Sequence, residues 1–231
     1  MLICGIQKLT LLDWPGRVAC TVFTGGCNLR CPYCHNAALV LRPSEQPVID
    51  PQEVFDLLEK RRGILDGVCV TGGEPLLQPD LADFLRSVRA LGVGTKLDTN
   101  GLLPERLAAL LDAGLVDYVA MDIKGAPARY GELTGMPGLD ITPVLQSIEL
   151  LKGGSVPYEF RTTIAPETHS PGDFHAIGEL IRGARAYYIQ GYRDSGDTVG
   201  APLTSPSPAE ARAILAVARE YVPSAELRGI D

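Results

Sequence analysis

The chain has 231 residues, of which 45% are hydrophobic and 21% charged, as in an ordinary globular protein with a hydrophobic core. Its 21 basic and 28 acidic residues give a net charge of -7, which argues against nucleic-acid binding because clustered Lys and Arg bind phosphates. The N-terminal residues lack the layout of a secretory signal, and no apolar run reaches the roughly 18 residues that cross a bilayer. We therefore expect a cytoplasmic protein.

Short β-branched runs alternate with amphipathic helical patterns along the chain. The predicted strands are Val18–Thr24, Gly67–Thr71, Gly94–Thr99, Tyr118–Ile123, Tyr158–Ile164 and Ala186–Gln190. The predicted helices are Pro51–Arg62, Pro79–Leu91, Pro104–Ala113, Pro143–Lys152, Gly172–Arg182 and Pro208–Tyr221. These six βα units predict one α/β domain, residues 1–231, with a parallel sheet and an N-terminal lead-in, residues 1–17. An open doubly wound sheet and a barrel-like sheet both fit, and in both the site lies at the carboxyl ends of the strands.

Three of the six cysteines, Cys27, Cys31 and Cys34, follow the first predicted strand at the spacing C-x3-C-x2-C. In a reducing compartment, clustered cysteines indicate metal ligands or redox groups. Three thiolates can hold three irons of a four-iron cluster, which leaves one iron open to a substrate or cofactor. The alternative is a structural zinc site or a closed electron-transfer cluster with a fourth cysteine. The candidates for that fourth ligand are the remaining cysteines, Cys4, Cys20 and Cys69.

Polar or glycine-rich segments also end the next predicted strands. They are Gly72-Gly73-Glu74-Pro75, Asp98-Thr99-Asn100, and Asp122 with Lys124, whereas Arg161 lies within the fifth predicted strand. Paired glycines suit either a strand-ending turn or close approach of a ligand, and Glu74 suits pairing with a ligand ammonium. The side chains of Asp98 and Asn100 suit either a turn cap or ribose hydroxyls. We expect Asp122 and Lys124 to serve the site, because charges at a strand end are costly unless they are paired or solvated.

The segments CNLRCPYC, TGGEP, LDTNG, MDIK and FRT together resemble those of the radical S-adenosylmethionine (SAM) enzymes. GIQKLTLLDWPGR and CPYCHN resemble the branch that activates glycyl-radical enzymes, in particular the activating proteins of anaerobic ribonucleoside-triphosphate reductase. The resemblance implies a partial (β/α)6 TIM-like barrel, the radical SAM fold. It also implies a 4Fe-4S cluster on Cys27, Cys31 and Cys34, whose fourth iron takes the amino and carboxylate groups of SAM.

The resemblance further implies which residues contact SAM. Tyr33 would lie against the adenine, and Gly72, Gly73 and Glu74 would hold the ammonium, with Pro75 shaping the turn. The residues for the ribose and carboxylate would be Asp98, Asn100, Lys124 and Arg161. A monovalent-cation site beside the SAM carboxylate would be made by Asp98, Thr99 and Asp122. In related activases a histidine of the sixth strand can touch SAM, and Gln190 stands at that place here.

The activity that the resemblance implies is reductive cleavage of SAM to a 5'-deoxyadenosyl radical, which removes a hydrogen atom from a glycine Cα of a partner enzyme. Flavodoxin or ferredoxin would supply the electron, and Gly125–Gly138 is either a contact for the partner or an ordinary connection. One alternative is a radical SAM enzyme acting on a small molecule such as a deazapurine precursor, with Arg161, Gln190 and Arg193 for specificity. Another is a non-enzymatic iron–sulfur electron carrier. His169 and His175 are expected at the surface.

Overall fold

The computed structural model describes residues 1–194 and 196–230. The chain forms two compact units, and each unit is built from three separate segments of the sequence. The first unit comprises Met1–Asn28, Ala38–Thr99 and Glu105–Val119. The second unit comprises Leu29–Ala37, Asn100–Pro104 and Ala120–Asp231. The loop that carries the three clustered cysteines therefore begins in the first unit, at Cys27, and continues in the second.

The strands and helices alternate in the predicted order. The strands are β1 Ile3–Thr10, β2 Ala19–Thr24, β3 Gly67–Gly72, β4 Gly94–Thr99, β5 Tyr118–Asp122, β6 Tyr158–Ile164, β7 Tyr187–Gly191 and β8 Ala225–Arg228. The helices are α1 Ala37–Leu41, α2 Pro51–Lys60, α3 Leu81–Ala90, α4 Pro104–Asp112, α5 Tyr130–Leu133, α6 Thr142–Gly153, α7 Asp173–Leu180 and α8 Pro208–Arg219. All six predicted strands and all six predicted helices are present, with ends within two residues of those predicted. Strands β1 and β8 and the short helices α1 and α5 were not predicted.

In the first unit, β1 is antiparallel to β2, and β2, β3 and β4 are parallel neighbours in that order. The register places Thr24 at the end of β2 opposite Gly72 at the end of β3. Two segments therefore leave the sheet side by side. One is the cysteine loop, which carries Cys27, Cys31 and Cys34, and the other is the glycine turn, Gly72-Gly73-Glu74-Pro75. Strand β1 lies within the segment predicted as a lead-in.

In the second unit, β6 is parallel to β7, and β7 is parallel to β8. Arg161 of β6 lies opposite Tyr188, so the polar position predicted on β6 has an aromatic neighbour on β7. Helix α8 connects β7 to β8 and starts with a complete capping box, in which Ser207 and Glu210 bond each other's backbone N–H groups. Proline at the first position of α8 supports the same start.

The helices bury one apolar side each. In α2, for example, Val54 and Leu58 are buried, and the Asp50 side chain caps the helix by accepting a hydrogen bond from the Gln52 N–H. Within residues 1–194 and 196–230, no helix combines the length and the apolar character that a bilayer crossing requires. The prediction of a single domain over residues 1–231 stays a prediction.

Candidate active site

In the first unit, the glycine turn after β3 is bonded directly to the residues that lead into the cysteine loop. The Gly73 N–H donates to the Thr24 carbonyl at 2.8 Å, and the Glu74 N–H donates to the Gly26 carbonyl at 2.8 Å. A Cβ atom on Gly72, which has φ +118°, would lie 2.3 Å from the Thr24 nitrogen, and one on Gly73 would lie 1.9 Å from the Gly26 oxygen. Both positions therefore require glycine, and the turn fixes the backbone that precedes Cys27.

Glu74 is fully buried and is committed to the shape of this turn. Its Oε1 atom accepts hydrogen bonds from the Leu76 N–H at 3.0 Å and from the Thr99 hydroxyl at 2.9 Å. Pro75 begins a short 3-10 turn, Pro75–Leu77, directly after it. The carboxylate thus ties the end of β3 to the end of β4, a task that the sequence motif alone does not reveal.

Strand β4 holds a charge pair, with a buried lysine and a partly buried aspartate, that was not predicted. Lys96 is buried, with its side chain fully enclosed, and its ammonium forms an ion pair with Asp98 two residues along the strand. Buried charges are costly unless they are paired. Asp98 therefore already has a basic partner within the first unit, whatever else its second oxygen binds.

The cysteines outside the loop differ in their surroundings, and all six in the chain are thiols rather than disulfides. Cys20 and Cys69 are fully buried in their strands. Burial raises the pKa of the Cys20 thiol to about 11 and the pKa of the Cys69 thiol still further. Cys4 packs against Gly25, two residues before Cys27, since a Cβ atom on Gly25 would lie 2.7 Å from the Cys4 Sγ.

In the second unit, segments from distant parts of the chain hold the rest of the cysteine loop. The Cys34 N–H donates to the Cys31 carbonyl at 3.0 Å, which closes a turn between these two cysteines. The Arg30 N–H donates to the Thr134 carbonyl at 2.9 Å, and the Gly200 N–H donates to the Pro32 carbonyl at 2.8 Å. These bonds fix the backbone at both sides of Cys31.

Tyr33 is buried, so it does not present its ring as an open surface. Its hydroxyl donates to the Lys124 carbonyl at 3.3 Å, and burial raises its pKa well above the usual value. The prediction that His169 lies at the surface is wrong. His169 is buried, and its Nε2 also hydrogen-bonds the Lys124 carbonyl, at 3.0 Å. The carbonyl of Lys124, two residues after the end of β5, therefore joins the cysteine loop to the loop after β6.

Gly125–Gly138, which was predicted as either a partner contact or a connection, has a clear structural task. Helix α5 within it contains Tyr130, whose hydroxyl accepts a hydrogen bond from the Lys124 N–H at 3.3 Å. A Cβ atom on Gly135, which has φ +66°, would lie 2.2 Å from the Arg30 carbonyl oxygen. The segment therefore supports the cysteine loop directly.

The predicted charged residues of β5 and β6 come together in the second unit. Asp122 accepts from the Lys124 ammonium at 2.9 Å through Oδ2 and from Arg161 Nε at 3.0 Å through Oδ1. Burial would raise the pKa of Asp122, but the charges of Arg161 and Lys124 outweigh burial and lower that pKa to about 2. The charge of Asp122 in turn outweighs burial at Lys124 and raises the pKa of the ammonium. All three side chains are ionised at neutral pH and sum to one positive charge.

The remaining predicted positions make contacts within the second unit. Asn100 is buried, and its Oδ1 accepts from the Leu102 N–H at 3.0 Å, as in a turn cap. Gln190 lies half-buried beside Thr163 on the neighbouring strand. The Arg193 guanidinium donates to the Gly229 carbonyl at 2.7 Å. Neither Gln190 nor Arg193 is distinguished as a specificity residue by these contacts.

Comparison with known proteins decides the family. Residues 21–181 match the sequence profile of the radical SAM superfamily. The chain belongs to the radical SAM superfamily. A Methanocaldococcus jannaschii protein, provisionally named as a glycyl-radical enzyme activating enzyme, is 31% identical over 100% of this chain and 97% of its own length. A pyruvate formate-lyase-activating enzyme of Listeria monocytogenes is 30% identical over 77% of this chain and 74% of its own. These relatives place the chain in the activase branch of the superfamily.

The fold is also that of solved radical SAM enzymes. The crystal structure of Streptococcus suis SuiB bound to precursor peptide SuiA matches with a TM-score of 0.69 at 14% identity, covering 90% of this chain. The match covers 48% of the SuiB chain, so this chain spans about half its length. The predicted fold class, α/β with the partial barrel of radical SAM enzymes, is confirmed. Membership in the superfamily means that this radical SAM enzyme uses a 4Fe-4S cluster and SAM.

The donor set of the cysteine loop suits that cluster. Its three cysteines are thiols, and thiolates are the usual ligands of iron–sulfur clusters. Among residues 1–194 and 196–230, no three His, Cys, Asp or Glu side chains are already gathered around one metal position. The assignment of cluster ligands to particular cysteines therefore rests on their spacing and on the family.

Proposed function

We propose that this radical SAM enzyme generates the glycyl radical of a partner enzyme, the anaerobic ribonucleoside-triphosphate reductase. The observation that carries the proposal is the 31% identity to a protein named for this activity over 100% of the present chain. The finer choice of partner rests on the lead-in GIQKLTLLDWPGR and the segment CPYCHN. Flavodoxin or ferredoxin is the proposed electron donor, and the cytoplasm is the proposed compartment.

Cys27, Cys31 and Cys34 are the proposed ligands of the 4Fe-4S cluster, and SAM is the proposed ligand of its fourth iron. When bound, the cluster and SAM supply one-electron cleavage of SAM and removal of a hydrogen atom from a glycine Cα. The chain's own contribution is to bind, to orient and to exclude water. The bonds from Thr134 and Gly200 to the loop serve that task, because they hold the backbone around Cys31.

The charges of the second unit support binding of the SAM carboxylate. Asp122 neutralises one of its two basic neighbours, and the group keeps one net positive charge at neutral pH. That charge suits a carboxylate and would be lost if Lys124 or Arg161 were made neutral. Asp98 and Asn100 are the proposed ribose contacts, and Tyr33 is the proposed neighbour of the adenine.

The glycine turn supports binding of the SAM ammonium mainly through its backbone. The Glu74 Oε1 atom already accepts two hydrogen bonds from the protein, so its first role is to hold Gly72, Gly73 and Pro75 in place. Its negative charge still favours an ammonium close to the turn. A monovalent cation at Asp98, Thr99 and Asp122 stays a prediction, and dependence of SAM cleavage on potassium or sodium would test it.

The decisive experiment combines the reduced, cluster-loaded protein, SAM and anaerobic ribonucleotide reductase without oxygen. We expect a glycyl doublet in the electron paramagnetic resonance (EPR) spectrum. A variant with Cys31→Ala should give neither the doublet nor a four-iron cluster. The matched control is Cys20→Ala, which removes a buried thiol outside the loop and should retain both.

Two other outcomes would replace the proposal. Rapid SAM cleavage without a glycyl doublet in any candidate partner would favour the small-molecule alternative. Loss of the cluster in Cys4→Ala, Cys20→Ala or Cys69→Ala would show a fourth protein thiolate and favour an electron carrier.

A further inference from the structure

One buried hydroxyl of the second unit has no hydrogen-bond partner among the described residues. Tyr192 follows β7 and is 1% exposed, and its hydroxyl makes no hydrogen bond with any of residues 1–194 and 196–230. Buried hydroxyls in native proteins nearly always have a partner, and an exception needs a specific explanation. The Tyr192 hydroxyl therefore requires an acceptor or donor outside the part of the chain that the structure describes.

The ring of Tyr192 lies against the cysteine loop. Its centroid is 5.0 Å from that of the His35 imidazole, at an interplanar angle of 64°. His35 is the residue directly after Cys34. The Tyr192 N–H also donates to the Ile164 carbonyl at 2.8 Å, which anchors the backbone behind the ring to the end of β6. The phenol is therefore held beside the part of the loop that carries Cys34.

A second contact from the same segment keeps the loop in place. The Gly200 N–H bonds the Pro32 carbonyl, and a Cβ atom on Gly200 would lie 2.9 Å from the Pro32 Cβ. The segment after β7 thus touches the loop at two points, on either side of Tyr33. Both points lie beyond residue 181, where the match to the superfamily profile ends.

We propose that the Tyr192 hydroxyl donates a hydrogen bond to a sulfur of the iron–sulfur cluster and raises its reduction potential. The proposal rests on the assignment of Cys31 and Cys34 as cluster ligands. Cluster sulfurs accept hydrogen bonds, and such bonds are among the features that set the potential of a cluster. Reduction adds negative charge to the sulfurs, so a donor stabilises the reduced form more than the oxidised form.

Strand β7, which directly precedes Tyr192, offers a matched control. Tyr187 is also 1% exposed and lies five residues before Tyr192, but its hydroxyl donates to the Thr162 hydroxyl at 2.7 Å. Tyr192→Phe and Tyr187→Phe each remove one buried hydroxyl and keep the ring. Only the first should change the cluster.

The test is a redox titration of the reconstituted protein, followed by EPR, without SAM or a partner enzyme. At a fixed potential, we expect Tyr192→Phe to lower the ratio of reduced to oxidised cluster by up to about tenfold, which corresponds to ~59 mV. Tyr187→Phe should leave the ratio unchanged. In the unaltered protein, pulsed EPR should detect a proton coupled to the cluster that exchanges in D2O, and Tyr192→Phe should lack it.

Several results would overturn the proposal. These are an unchanged potential in Tyr192→Phe, an equal change in Tyr187→Phe, or an exchangeable proton that persists without the hydroxyl. A normal potential combined with weaker SAM binding in Tyr192→Phe would place the hydroxyl on SAM instead. Failure of the unaltered protein to bind four irons would overturn the cluster assignment itself, whereas a cluster without a glycyl product would overturn only the proposed function.

Discussion

Replacing Gly73 by alanine tests how the turn after β3 supports the cysteine loop. The new Cβ atom would lie 1.9 Å from the Gly26 carbonyl oxygen, whereas real Cβ atoms stay at least 3.0 Å away. The two backbones must therefore separate by about 1.1 Å, which would lengthen the 2.8 Å bonds from Gly73 and Glu74 beyond hydrogen-bonding distance. Each backbone bond contributes about 0.5–1.5 kcal/mol, so we expect Gly73→Ala to lower the free energy of unfolding by about 1–3 kcal/mol.

The assay is urea unfolding followed by circular dichroism, together with the dissociation constant for SAM of the reconstituted protein. Gly153→Ala is the matched control, because no atom lies within 4 Å of the new Cβ and the residue ends α6. We expect that variant to be as stable as the unaltered protein or slightly more stable, by at most about 1 kcal/mol. Gly73→Ala should also bind SAM more weakly. Equal unfolding free energies and equal SAM affinities in the two variants would refute the reasoning.

Two further predictions concern charge and capping. Because the pKa of Asp122 is lowered from 3.8 to about 2, its stabilising charge is complete above pH 3.8 and disappears as the pH falls toward 2. Asp122→Asn should therefore remove about 2 kcal/mol of the acid-induced loss of stability in urea titrations at successive pH values, and an unaltered pH profile would contradict this. Ser207→Ala breaks the capping box of α8 and should cost about 1 kcal/mol in the same assay. Ser207→Asn, which can still cap, should lose only a few tenths, and equal losses in both variants would count against a capping role.

The sequence predicts the six repeating βα units better than the first and last strands of the fold, β1 and β8. The six predicted strands are rich in apolar, aromatic or β-branched residues and have glycine or proline nearby at their ends, so local patterns suffice. Strand β1 has exposed Gln7 and Lys8 and depends on antiparallel pairing with β2 for its definition. Strand β8 has four residues and becomes visible only through its pairing with β7. Both strands are defined by pairing with another strand, and a short stretch of sequence does not contain that contact.

In the site, likewise, the sequence identifies the residues of the motifs but not the buried residues that hold them in place. The cysteines and the glycine turn are recognisable because each residue type is required by its own chemistry or backbone geometry. The buried partners of the site are not recognisable in this way. His169 lies between a threonine and a serine, which suggests an exposed loop, yet the carbonyl of Lys124, 45 positions earlier, holds it in the interior. Lys96 resembles an ordinary surface lysine until Asp98 is placed beside it.

The bond from Gly200 to Pro32 has a consequence for the biosynthesis of the protein. Gly200 is added to the nascent chain 168 positions after Pro32, which at ordinary elongation rates is a delay of roughly 8–34 s. During that interval Cys27, Cys31 and Cys34 have already been synthesised, but the hydrogen bond from Gly200 that holds their loop has not yet formed. Delivery of iron and sulfide to this chain should therefore follow translation rather than accompany it, and cells short of iron should accumulate a finished polypeptide that is ready to be loaded.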